Sequence, residues 1–206
     1  MPPVSSNVSD LIDELRSALR GTWALLTGKR NAGTYFDFSR YGLIGSFIGL
    51  LVANGIIIGF SARSASNPDT LSGLEMLASQ TILYVCQILA TWIVLRQLQK
   101  GDMFEAFVTA DNWSTAIISL VFITPVFAIV VLANLGLFQG QGAVISDFAT
   151  IMTFLTAITA FIVKINIARL IVELPALQIV MLIIAQAVGG FVGLMLLGAM
   201  FGVSVQ

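Results

Sequence analysis

The sequence has no histidine and one cysteine, Cys86. That excludes a disulfide within the chain and leaves no Cys–His zinc site. Charge is scarce as well. Asp, Glu, Lys and Arg make up 10% of the residues, against about 25% in soluble domains. So few charges cannot coat a soluble globule of 206 residues. The net charge of −1 gives a nucleic acid nothing to bind. Catalytic signatures are missing too: there is no Walker sequence, "GFSAR" at Gly59 breaks a Gly-x-Ser-x-Gly elbow, and no Asp pair is clustered to hold metal and phosphate. No residue nominates itself as a catalyst, so the chain reads as a non-enzyme without cofactor or metal. No early apolar core with a small-residue cleavage site suggests a signal peptide.

What the sequence does have is apolar length. It is 57% hydrophobic, with a mean hydropathy of +0.95. A spanning helix needs about 20 mostly apolar residues. Five windows supply them, at about 42–62, 74–95, 113–138, 148–168 and 176–201. The expected fold is all-α: an integral membrane bundle of five transmembrane helices (residues 42–206), after a cytoplasmic N-terminal segment (1–41) with an amphipathic interfacial helix. Pro175 suits the first turn of the last helix.

Orientation follows from Lys and Arg. With five spans, one side carries Arg16, Arg20, Lys29, Arg30, Arg40, Arg96, Lys100, Lys164 and Arg169, and the other only Arg63. The positive-inside rule then puts the N-terminus in the cytoplasm and the C-terminus, "FGVSVQ", outside. Trp23, Trp92 and Trp113 fall near the same inner boundary, where indoles favour the interface. The glycosylation-type triplets Asn7-Val8-Ser9 and Asn112-Trp113-Ser114 face inward in this topology and are expected to be unused.

Before the first span, Val8, Leu11, Ile12, Leu15, Leu19, Trp23 and Leu26 recur at helical spacing, with Asp10, Asp13, Glu14, Arg16, Ser17 and Arg20 on the rest of the surface. Ser5, Ser6 or Asn7 can start this helix and Gly28 can end it. Too polar to span, it is expected in the interface or packed under the bundle. Asp37 or Ser39 is expected to cap span one. In the second loop, Met103, Phe104, Phe107 and Val108 predict a short interfacial helix whose acidic residues, Asp102, Glu105 and Asp111, face solvent.

Small residues four apart mark two spans for close packing, within the chain or across a homodimer. They are Gly45 and Gly49, then Gly55 and Gly59, in span one. Span five has Ala185, Gly189 and Gly193, then Gly198 and Gly202. Pro125 predicts a kink in span three, with Thr124 satisfying part of the freed backbone. Asn54, Gln87, Asn166 and Gln186 have two readings, as hydrogen-bonding glue between helices or as ligand contacts. The stretch "KINIARLIVELPALQ", 164–178, carries Lys164, Arg169 and Glu173. A charge at the centre of a span costs about 2.5–3.5 kcal/mol, and no other span offers a compensating charge. These three therefore read as inner-mouth charges that close a cytoplasmic hairpin. Lys164 is expected to snorkel outward, and Arg169 to pair with Glu173 four residues on.

The "FDFS" entering span one, the "ADNWS" entering span three, the amphipathic N-terminal segment and five closely spaced spans together resemble a Yip-type (Ypt-interacting protein-like) membrane domain, over roughly residues 14–200. The likeness is to uncharacterised bacterial members of that group. It implies a non-catalytic protein of a bacterial inner membrane and transfers no functional residue. The Asp-Leu-Tyr-Gly-Pro motif of the eukaryotic branch is absent, which speaks against a Rab-type GTPase partner.

Two functional classes follow. A membrane scaffold or adaptor fits the missing catalytic groups, the amphipathic helix and the glycine stripes. Its partners are the lipid bilayer and a second copy or another membrane protein. The alternative is a small-solute permease or channel, served by the four amides and the Pro125 kink. One question separates them: whether the polar residues converge on a cavity or scatter between helices.

Overall fold

The computed structural model describes residues 8–64, 73–137 and 142–201. The fold is all-α, with six α-helices among the described residues: α1 (Val8–Leu26), α2 (Arg40–Ser64), α3 (Gly73–Gln97), α4 (Phe104–Asn134), α5 (Gly142–Leu170) and α6 (Ala176–Phe201). Helices α2 to α6 are long and apolar enough to cross a membrane, with mean hydropathies from 1.6 to 2.8. The chain is a multi-pass membrane protein. The helix caps expected at Ser5, Ser6 or Asn7, the side chains of Val8 and Leu11, and the tail from Gly202 to Gln206 lie outside the described residues.

Helix α4 starts at Phe104, well before the expected 113. Its 31 residues, at about 1.5 Å each, reach roughly 46 Å, while a hydrocarbon core is about 30 Å thick. The surplus is packed in protein: Ala106 through Ser114, with Ala116, Ile117 and Ile118, are buried. The expected short interfacial helix is instead the N-terminal root of α4, preceded by a short 3-10 turn, Gly101–Met103; Asp102 and Glu105 are exposed as expected, and Asp111 departs from the expectation. Asp111 is 8% exposed. Helical spacing explains this, because Asp111 follows Phe107 by four residues and Val108 by three and shares their face.

The packed core sits at this end of the bundle. Leu25, Phe107, Val163, Ile167, Val172 and Leu182 are each at most 2% exposed. Toward the other end Val121, Ile158, Phe191 and Met195 are more than half exposed, an apolar surface for lipid. Trp113, expected at the interface, belongs instead to the core. Helix α1 also packs against this core. It turns Ala18, Thr22, Ala24 and Leu25 inward and leaves Ile12, Leu15, Leu19 and Trp23 exposed.

Helix ends follow local chemistry. Ser39 starts α2: its Oγ accepts the Gly42 N–H at 3.3 Å, and its own N–H donates to Asp37 Oδ1 at 2.9 Å. Helix α1, which ends at Leu26, is closed by Gly28, with φ +68°. There the Lys29 N–H bonds the Ala24 carbonyl at 2.9 Å and the Gly28 N–H bonds Leu25 at 3.0 Å, a Schellman closure. Pro125 lies inside α4. The Thr124 hydroxyl donates to the Leu120 carbonyl at 2.6 Å, not to the Val121 carbonyl that the proline leaves free.

Two groups of helices emerge. Helix α3 packs chiefly on α6, while α2 and α5 pack on α4; contacts between the groups are sparse. The glycines account for both groups. A Cβ on Gly189 would come 2.8 Å from the Cys86 carbonyl of α3, and one on Gly49 2.7 Å from the Trp113 ring of α4. Spans one and five thus use their stripes within one chain, on different partners, and Gly55 and Gly59 meet nothing within 4 Å.

Candidate functional site

The run Ala110-Asp111-Asn112-Trp113-Ser114 is little more than one turn of α4, so its side chains radiate in different directions. Asn112 has no exposed surface. It donates to Ser46 Oγ of α2 at 3.0 Å and accepts the Tyr84 hydroxyl of α3. Ser46 in turn donates to the Leu43 carbonyl at 2.7 Å. Ser114 accepts the Thr22 hydroxyl of α1 at 3.3 Å. Trp113 fills the notch at Gly49. Asp111 meets Lys164 of α5, with Oδ2 and Nζ 3.4 Å apart. One short segment therefore ties four other helices together. The buried Asn112 has no surface on which to carry a sugar.

Lys164 does not snorkel outward. Its side chain is 25% exposed and that of Asp111 12%, and both line a cavity of about 610 Å³ between α2, α3, α4 and α5. The wall is mainly apolar, including Phe47, Leu50 and Leu83, with Asn54, Gln80, Gln87 and Tyr84 among them. A second cavity, of about 500 Å³, shares Asn54, Gln80, Thr115 and Ala160 with the first and continues past Ser119 to Thr153 and Thr156. The Thr153 and Thr156 hydroxyl protons are committed to carbonyls one turn back, at 2.9 and 2.8 Å. Their oxygens are left as acceptors.

The four expected amides divide. Asn54 and Gln87 line the first cavity. Asn166 and Gln186 are helix glue: Asn166 donates to the Leu25 carbonyl of α1 at 2.8 Å, and Gln186 of α6 donates to Thr91 Oγ1 of α3 at 3.0 Å. Of the inner-mouth charges, only Lys164 reaches the cavity. Arg169 and Glu173 are exposed. They do not share a helix face, because α5 ends at Leu170 and Glu173 turns into the left-handed region, with φ 58°.

Glu14, assigned by pattern to the polar face of α1, points into the bundle. Its Oε1 is buried without a hydrogen-bond partner and would lie 2.7 Å from a Cβ on Gly45. Burial raises its carboxyl pKa above the ordinary 4.5; the Trp113 indole N–H opposes this in part, and Asp37 adds to it.

Asp111, Asn112, Ser46, Gln80 and Thr115 were not singled out by the sequence as site residues. The available signal was the position of Asp111 on an apolar helical stripe, which marks a buried carboxylate rather than a solvated one. Among the described residues no group of His, Cys, Asp and Glu is placed to hold a metal. Compared with known protein families, curated proteins and solved structures, the chain matches none.

Proposed function

We propose that the protein is a small-solute permease of a bacterial inner membrane, N-terminus inside, with its solute site in the cavity between α2, α3, α4 and α5. The observation that carries this reading is the Asp111–Lys164 pair facing a cavity of about 610 Å³. Taking two charges out of water is costly. Packing alone is served as well by apolar side chains. Cavities of about 300–1,000 Å³ suit small ligands. The helix grouping supports the reading: α3 with α6, and α2 with α4 and α5, are two bodies that can rock about a site between them. Nothing chemical is asked of the site, so the reading is non-enzymatic.

The scaffold reading keeps one specific support, the exposed row Ile12, Leu15, Leu19 and Trp23 on α1, which lipid or a partner would cover. A Yip-type resemblance is compatible with either reading. Its "FDFS" supplies the α2 cap and its "ADNWS" the polar junction.

The test is uptake by proteoliposomes of a panel of amino acids, organic acids and amines. At least one solute is expected to accumulate above protein-free vesicles, and Thr115→Trp, which fills the junction of the two cavities, is expected to abolish it. Uptake of nothing above protein-free vesicles overturns the reading.

A further inference from the structure

We infer that the cavity selects a zwitterion with an apolar body, an inference that rests on the permease reading. Lys164 and Asp111 together carry no net charge, and among the described residues no other charged one lines the cavity. A ligand of one sign would add an uncompensated charge in a mainly apolar cavity, whereas a zwitterion adds none.

The pair also has bonding capacity to spare. An ammonium offers three donors and a carboxylate two oxygens, and the one contact between them joins Nζ to Oδ2 at 3.4 Å. A ligand carboxylate or phosphate on Lys164, with its ammonium on Asp111, completes a ring of four alternating charges. The apolar wall of Phe47, Leu50, Leu51 and Leu83 takes the body, and the Asn54 and Gln87 amides fix its orientation. Such a ligand is either a free apolar amino acid or the head of a zwitterionic phospholipid entering from the bilayer.

The test is binding to the purified protein in nanodiscs of phosphatidylglycerol. Three probes share one body: phenylalanine, 3-phenylpropionate and 2-phenylethylamine. Phenylalanine is expected to bind at least tenfold more tightly than either single-charge probe. Lys164→Gln and Asp111→Asn are each expected to weaken it at least tenfold. The exchanged pair, Asp111→Lys with Lys164→Asp, is expected to recover binding, because a zwitterion can reverse; this variant keeps both charges should the single ones fail to fold. If the source is a lipid head, adding phosphatidylethanolamine to the nanodisc competes with phenylalanine and the lipid stays bound in native mass spectrometry, whereas phosphatidylglycerol does neither. A single-charge probe binding as tightly as phenylalanine overturns the inference. So does unchanged phenylalanine affinity in Asp111→Asn/Lys164→Gln, and so does neither phenylalanine nor phosphatidylethanolamine binding. The permease reading fails separately, on absent vesicle uptake.

Discussion

Asn112 on α4 and Ser46 on α2, 66 positions apart in the chain, are joined by a buried hydrogen bond of 3.0 Å. The same amide accepts the Tyr84 hydroxyl of α3, so it spans the seam between the two helix groups. Leaving a buried polar partner unmatched costs about 1–3 kcal/mol. Asn112→Leu is expected to lose about that much stability, read as a lower melting temperature in detergent. Tyr84→Phe removes only the link across the seam and is expected to cost about 1 kcal/mol. An Asn112→Leu protein that melts with the wild type contradicts the role assigned to this residue.

The spans were legible because a bilayer demands about 20 apolar residues in a row, a one-dimensional signal. Helix ends at Gly28 and Ser39 were legible because caps are local chemistry. The Asp111–Lys164 pair was not, because the two residues are 53 apart in sequence and on different helices. Starting span three at Trp113 also puts Asp111 on the outer face of a short interfacial helix, where a carboxylate reads as solvated. The length of α4 reverses that. Asn54 and Asn166 look alike in a sequence. Only packing sends one to a cavity wall and the other to the Leu25 carbonyl.

The glycines make a contrast. A Cβ at Gly189 would come 2.8 Å from the backbone oxygen of Cys86, which cannot rotate aside. Gly189→Ala is expected to push α6 off α3 at about 1–3 kcal/mol, the usual cost of overpacking. Gly55→Ala, with nothing within 4 Å, is expected to be neutral or to stabilise by up to about 1 kcal/mol through helix propensity. Equal effects at the two sites would contradict the packing of α6 on α3.

Glu14 gives a pH dependence with a definite sign. Its pKa is raised in the folded protein, chiefly by burial. The protonated form is therefore the one the fold favours, and its contribution is fully present below the ordinary value of 4.5 and lost as pH rises through the raised value. Hydrogen exchange in α1 is expected to quicken as pH climbs out of the acidic range, after correction for the intrinsic rate. Glu14→Gln is expected to remove that step. A wild-type α1 protected equally on both sides of the acidic range contradicts this.

Topology has its own marker. Arg169 is exposed just before the end of α5, and Lys and Arg are concentrated at this end of the bundle. Arg169→Cys, with Cys86 replaced by Ala, is expected to react with an impermeant maleimide in inside-out vesicles and not in intact cells. The reverse pattern would put the Lys- and Arg-rich end outside and contradict a cytoplasmic N-terminus.

The most direct measurement on the proposed solute site is the reactivity of a cysteine placed at Thr115, where the two cavities join, again without Cys86. In native membranes it is expected to react with a small, charged thiol reagent, and Thr115→Cys protein is expected to be protected when a transported solute is present. A thiol that stays unmodified in the membrane and reacts only after denaturation would mean that the space is filled with lipid or closed by packing, and would contradict a solute site between α2, α3, α4 and α5.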